Sequence, residues 1–326
     1  MENKLDLIRL FNKVLPLKEL EGDSFSCVEI PDFPEYLLAK NKDNLPSLLI
    51  KTGDEKLFSD IGLENLSVLF NRKCSFQLEK KPKSDFFTIV NLTHHSSDLN
   101  STFLLLLAVT IEHIGRNPSE KRIYSELLRF AELFKIASNA PLKSIQGLWG
   151  ELFVIENSIQ VENFIHGWHL NTNDKLDFYF ENESIEVKSS TVRRRTHYFS
   201  IEQLHVLKNQ NHHVASVFVE RLNGGCSIDN LIKLIEEKLS NEELIFKLKT
   251  TVIKTLGNDA EKALTIPFNY DLAKESLIFI DHHRVPKIKK RNIPREIKEV
   301  KLKIDLTGVL EKYGKKGLKD SMKKLF

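Results

Sequence analysis

The chain has 326 residues, 41% of them hydrophobic and 29% charged, with a formal net charge of +3. That length predicts two or three folding units, and the balance is that of a soluble globular protein with a sizeable core. Cys27, Cys74 and Cys226 lie far apart without CxxC spacing, which argues against a disulfide framework or zinc site; Met1–Asp6 holds no apolar signal core, and the apolar run Phe103–Val109 is too short to span a bilayer, so a cytoplasmic protein with no membrane partner is expected.

The predicted elements begin with a helix over 4–15, where Leu7, Ile8, Phe11, Val14 and Leu15 recur at helical spacing. Strand-like runs follow at 24–30, 35–40, 46–51, 65–71, 74–79 and 86–92, punctuated by Pro31, Pro34, Pro46, Pro82, Gly53 and Gly62. Helices are expected at 98–114 and 119–137; Ile123, Leu127, Phe130, Leu133 and Phe134 form the apolar stripe of the second. A helix near 144–158 precedes adjacent strands at 176–181 and 185–190, a charged loop, a helix opening at Ser200 and a strand at 213–220. Helices at 228–240 and 242–249, strands at 276–281 and 297–306, and a lysine-rich helix over 307–325 complete the pattern. The expected organisation is a mostly β N-terminal region (1–97), a helical connector (98–139), an α/β core (140–255) and a C-terminal part of strands and a basic helix (256–326).

Charge is unevenly spread. From Asp281 to Phe326 there are 15 Lys or Arg and 6 Asp or Glu, an excess of +9, so the preceding residues sum to −6. Such asymmetry marks either a surface that meets a polyanion or a solvated basic tail.

The stretch 176–190 carries the chemistry. Two β-rich runs flank Glu181–Ser184, a turn. Alternation places Glu186 and Lys188 on one strand face, with Ile185 and Val187 on the other. Pairing Glu181 with Ser184 sets Tyr179 opposite Glu186 and Asp177 opposite Lys188, so two carboxylates and an ammonium converge. Such carboxylates can hold Mg²⁺, and a nearby lysine can orient a water or stabilise developing negative charge. The same trio also serves as an ordinary cross-strand ion pair.

Asp177 followed by Glu186-Val187-Lys188 resembles the motif of the PD-(D/E)XK, or restriction-endonuclease-like, nucleases, with Leu176 at the proline position. The resemblance implies a restriction-endonuclease-like core, a mixed sheet flanked by helices, in which Asp177 and Glu186 bind metal and Lys188 assists the water. It extends over Gly147-Leu148-Trp149-Gly150-Glu151-Leu152, Trp168, Asp177-Phe178, Ile185–Ser189, Gln203-Leu204 and Ile293-Pro294, and is similar to a bacterial family encoded in restriction or phage-defence gene clusters. It implies Mg²⁺ as cofactor, with Mn²⁺ as substitute, and DNA and other defence proteins as partners. The mostly β N-terminal region is open to DNA reading, partner contact or homodimerisation.

Further residues join on the same footing. Glu151 is a third metal-binding carboxylate by the resemblance, or else a helix-edge glutamate. Two glycines in its helix, at roughly 1 kcal/mol each relative to alanine, suggest another backbone packed close. Ser200-Ile201-Glu202-Gln203 fits a capping box, and a Gln on this helix also lies near the site in branches of the family; one rotamer is not expected to serve both. Ser189 and the loop Arg193-Arg194-Arg195 are candidate phosphate contacts, with strand end and solvated loop as the alternatives. The His pairs 94–95, 212–213 and 282–283 lack defensible ligand spacing and are expected to be structural or surface residues. The function that follows is a Mg²⁺-dependent DNA endonuclease, with a DNA-binding or assembly subunit that is inactive without partners as the alternative.

Overall fold

A computed structural model describes residues 5–16, 24–55, 57–78, 81–94, 97–138, 145–169, 174–180, 183–205, 211–309 and 325–326. The chain divides into two units, each assembled from two stretches: Met1–Leu142 with Lys249–Glu261, and Lys143–Leu248 with Lys262–Phe326. Among the described residues no helix is long and apolar enough to cross a membrane.

The first unit holds α1 (Leu7–Phe11), β1 (Ser24–Ile30), β2 (Phe33–Lys40), β3 (Pro46–Lys51), β4 (Ile61–Leu63), β5 (Leu66–Leu78), β6 (Lys81–Leu92), α2 (Ser97–Ile114) and α3 (Glu120–Ser138). The strand order is β1-β2-β3-β6-β5-β4, and β1 also pairs in parallel with β5, closing the sheet on itself. Alternate side chains fill the interior, where Phe25, Cys27, Leu37, Leu49, Phe76, Phe87 and Ile89 pack as one cluster. The runs expected at 65–71 and 74–79 are one strand, β5. Its pairing with β6 shifts between Leu69 and Arg72, where Asn71 takes a φ of 51°, a kink that reads in sequence as a break. The stripe predicted on α3 is buried through Ile123, Leu127, Phe130 and Phe134, and Phe130 and Phe134 meet Phe103 of α2 edge-on. The stretch from Lys249 is tied to α2 by Lys249 Nζ on Glu112 at 3.0 Å and by Thr102 Oγ1 donating to the Gly257 carbonyl at 3.2 Å.

The second unit runs α4 (Ile145–Glu156), α5 (Val161–Gly167), β7 (Phe178–Tyr179), β8 (Glu183–Ser190), β9 (Thr196–Ser200), α6 (Ile201–Leu204), β10 (Asn211–Phe218), β11 (Arg221–Cys226) and α7 (Ile228–Glu236). Next comes α8 (Glu242–Leu256), whose residues from Lys249 on belong to the first unit, and α9 (Ala260–Leu264), which begins there. α10 (Tyr270–Ser276), β12 (Ile278–Asp281) and β13 (Lys301–Asp305) follow. Its sheet has the order β12-β10-β8-β7, with β8 and β10 parallel and the other pairs antiparallel. β9 and β13 form a separate antiparallel ribbon. The helix expected over 307–325 falls mostly on residues 310–324, outside the described residues.

Burial explains this layering. α4 is buried on every side from Leu148 to Glu156, with Leu148, Trp149, Leu152, Phe153, Val154 and Ile155 as its apolar contacts, as a helix between other layers must be. A Cβ on Gly150 would stand 3.3 Å from Ser189 Cβ and 3.6 Å from Val187 and Val217 Cγ1, so the glycine brings α4 against side chains of β8 and β10 rather than against another backbone. On the far side, Phe199, Leu204, Val214, Ile280, Val285, Ile304 and Leu306 form a core that joins the ribbon and α6 to the sheet.

Candidate active site

The hairpin turns one residue earlier than the sequence suggests. Phe180 N donates to Glu183 O at 2.8 Å, and the ladder pairs Phe178 with Ile185 and Tyr179 with Ser184. Each strand therefore meets its partner two residues off the expected register. A two-residue shift preserves parity within the ladder, so Glu186 and Lys188 share one face as expected, while Asp177 falls outside the paired residues. Asp177 lies just before β7, and its Oδ2 accepts from Val187 N at 2.8 Å. The opposite face is apolar as expected: Phe178 and Ile185 are fully buried, and Phe164 meets both Phe178 and Phe180 edge-on.

On the site face, Glu186 and Lys188 form a close pair, Nζ to Oε1 at 2.7 Å, with side chains 5% and 16% exposed. An ammonium so nearly dehydrated needs its anion. The Lys188 Nζ also lies 5.0 Å from the centroid of the Phe199 ring. Gln203 completes the arrangement. Its Nε2 donates to Glu186 Oε1 at 2.6 Å, and its Oε1 accepts from Lys188 Nζ at 3.2 Å and from Ser200 N at 3.1 Å. Ser200 Oγ in turn accepts from Gln203 N at 3.2 Å, so the capping box is complete. The expectation that one rotamer cannot serve both is thus corrected: the amide caps α6 with its oxygen and holds Glu186 with its nitrogen.

Glu151 is buried in the middle of α4. Its Oε2 accepts from Trp168 Nε1 at 2.9 Å and lies 2.8 Å from His169 Nε2. Gly167 makes this meeting possible. A Cβ there would fall inside contact distance of the Tyr179 carbonyl oxygen, so only glycine lets the end of α5 press against β7. Beyond it Trp168 bridges Phe178 in antiparallel fashion, and His169 N donates to Asp177 O at 3.2 Å. His169 adopts a φ of 44°, in the left-handed region that few non-glycine residues occupy.

One oxygen of Glu151, one ring nitrogen of His169 and one oxygen of Asp177 lie within 4.8 Å of one another. Ligands of a single ion, each roughly 2.0–2.3 Å from it, would occupy such a span with little adjustment. Two carboxylates and an imidazole suit a divalent cation, and the imidazole favours a borderline metal such as Mn²⁺ over Mg²⁺. The structure thus brings Asp177 and Glu151 together with His169, a residue that sequence reasoning missed, and turns Glu186 towards Lys188 and Gln203. The signal available for His169 was its place directly after Trp168.

The expected phosphate contacts separate. Ser189 Oγ accepts from Gln146 Nε2 at 3.2 Å. Arg193 is exposed and pairs with Glu220 at 3.1 Å, and Arg194 is exposed. Arg195 instead turns inward: it donates to Ser216 O and Oγ at 2.9 Å each and to Ser276 O at 2.5 Å, and stacks 4.6 Å from the Phe218 ring centroid. Burial lowers its pKa to about 10, so it stays charged at neutral pH. His197 beside it is buried against Ser216 Oγ at 2.8 Å, and loss of hydration, then Lys188 and Arg195, lower its pKa to about 4. Of the paired histidines, His94 and His283 are exposed, whereas three are buried in the fold: His213 lies 2.7 Å from Glu183 Oε2, His212 Nδ1 meets Ser184 Oγ, and His282 Nε2 meets Gln203 O at 2.8 Å.

A family model described as "Putative PD-(D/E)XK family member, (DUF4420)" matches residues 29–307, well over half of the chain. No curated protein and no solved structure matches it. The α+β architecture, with a mixed sheet between helices, fits a restriction-endonuclease-like fold.

Proposed function

The chain belongs to this PD-(D/E)XK family, and from that premise we propose that it is a metal-dependent endonuclease that hydrolyses phosphodiester bonds in DNA as part of a bacterial restriction or phage-defence system. The observation that carries the reading is the convergence of Glu151, His169 and Asp177 ligand atoms at the start of the hairpin whose second strand carries Glu186 and Lys188. Membership points to nuclease chemistry; the Mg²⁺ or Mn²⁺ requirement, the DNA substrate and the defence role are the finer parts of the proposal.

In this reading Glu151, His169 and Asp177 hold the divalent cation. A cation bound there offsets the charge that builds on the phosphoryl group and acidifies water. Asp177 is fixed for this by the Val187 amide, and Glu151 by the Trp168 indole. Lys188 holds the attacking water or the developing phosphoryl charge through its ammonium, which Glu186 and Gln203 orient. Water oxygen bonds to phosphorus, the bond to the leaving sugar oxygen breaks, and that oxygen leaves with a proton.

The test is plasmid cleavage with Mg²⁺ or Mn²⁺ by wild type, Asp177→Ala and Lys188→Ala. Cleavage by wild type alone supports the proposal, and equal activity in all three sinks it. A second reading, a nuclease-like DNA-binding or assembly subunit that needs partners, is favoured by the engagement of Glu186 with Lys188 and Gln203 and by the modest net charge. Salt-sensitive DNA binding with no metal-dependent cleavage would decide for it.

A further inference from the structure

The chain between β12 and β13 is basic, exposed and pinned. His205 Nε2, just past the end of α6, contacts Ile288 O at 2.7 Å, and Ile201 N, at the start of α6, donates to Val300 O at 3.0 Å. The intervening residues span the helix that carries Gln203. Between these ties lie Lys289, Lys290, Arg291, Arg295 and Lys298, all exposed, against two acids, Glu296 and Glu299. The strap then enters β13, where Lys303 pairs in register with Tyr198 of β9. Tyr198 is 61% exposed, and the Lys303 Nζ lies 5.6 Å from its ring centroid. The next residue, Phe199, faces inward beneath the Lys188 ammonium. One short ribbon thus presents an aromatic ring and a cation to solvent on one side and supports the candidate catalytic lysine on the other.

We infer that the strap 289–299, with Tyr198 and Lys303, is the track along which a nucleic-acid strand is held as it reaches the carboxylate site. The inference rests on the nuclease reading for the meaning of that site and on the strap alone for binding. Five cations in eleven residues suit a phosphodiester backbone, whose charges recur at every nucleotide. An exposed tyrosine beside a lysine suits stacking of an unpaired base, which needs no particular sequence. Among the described residues no carboxylate lies within ion-pair distance of the five strap cations, whereas Lys301 just beyond the strap is 2.6 Å from Glu299. The track thus comprises Lys289, Lys290, Arg291, Arg295, Lys298 and Lys303, without Lys301.

Binding is measured on the full chain by fluorescence anisotropy in EDTA, with single-stranded and duplex labelled oligonucleotides over a salt series. Lys289→Glu/Lys290→Glu/Arg291→Glu is expected to weaken both forms at least tenfold and to flatten the salt dependence by roughly two to three units of slope. Tyr198→Ala is expected to weaken the single strand by roughly tenfold and the duplex little. Lys274→Glu, an exposed lysine outside the strap, should bind as wild type. Binding in EDTA is read whether or not the protein cuts when metal is supplied, which separates this inference from the nuclease reading. Unchanged affinity and slope in the triple variant overturn the track. If that variant melts early, the Gln triple substitution at the same positions carries the test.

Discussion

Gln203 Nε2 donates to Glu186 Oε1 at 2.6 Å while Gln203 Oε1 accepts a hydrogen bond from Lys188 Nζ at 3.2 Å. One neutral amide thereby bridges the two members of an ion pair and closes the first turn of α6 as well. Gln203→Ala should lower single-turnover cleavage by roughly 10- to 100-fold with KM little changed, since supporting contacts around metal and reacting groups act on this scale. Its melting point should fall modestly, by the loss of a cap contact of about 1 kcal/mol. A variant that cuts at the wild-type rate would show that the amide serves the helix alone.

Metal affinity should follow the trio. Titration calorimetry with Mn²⁺ is expected to show at least tenfold weaker binding for Glu151→Gln and for His169→Ala. Of the two, only His169→Ala should narrow the gap between Mn²⁺ and Mg²⁺, because it removes the nitrogen donor. Mn²⁺ binding unaffected by His169→Ala would remove the histidine from the site.

Gly167→Ala should be among the most damaging single changes outside the site. Its Cβ meets a backbone carbonyl, which cannot swing away as a side-chain end does. A loss on the order of 3 kcal/mol is expected in urea unfolding, and metal binding should weaken with it because His169 follows two residues later. An alanine variant as stable as wild type would mean that the end of α5 can shift freely.

Arg194 and Arg195 are neighbours with opposite expectations. Arg195→Ala leaves Ser216 and Ser276 without their buried donor and should cost roughly 2–3 kcal/mol. Arg194 is exposed, and its alanine variant should melt as wild type. Thermal melts of the two variants make the comparison, and equal melting points would contradict it.

Acid should destabilise the protein through two buried histidines. His197 and His282 are buried, and loss of hydration, reinforced by Lys188 for the first and Lys287 for the second, brings both imidazoles to about 4. In the unfolded chain they return to about 6.5, so the unfolded state takes up protons first as pH falls. The stability they contribute is full above about pH 6.5 and is lost towards pH 4, by about 3 kcal/mol for each group. Urea midpoints across this range should fall, and less steeply in His197→Gln. An unchanged midpoint between pH 7 and pH 5 would refute the assignment.

Much of the site was legible because strand alternation survives errors of register. Moving the turn by one residue shifted every cross-strand pair by two, yet left each paired residue on its expected face, with Glu186 and Lys188 together. His169 was not legible, since its position depends on a glycine contact and a positive φ that no periodicity reports. β9 was read as a charged loop because its inward positions include His197, a polar residue buried by its bond to Ser216. The single long strand β5 was split for a similar reason: Asn71 marks a kink within it, not an end.

The first unit is assembled from stretches that lie on either side of more than a hundred residues of the second. On the ribosome its closed sheet and the helices α2 and α3 emerge early, but the partners of Glu112 and Thr102 arrive only with Lys249 and Gly257. Completion of that unit therefore waits for synthesis of most of the other, a contact order set by insertion rather than by sheet topology. No single cut releases either unit intact: a fragment ending at Leu142 lacks the helical closure, and one starting at Lys143 carries that closure with nothing to receive it.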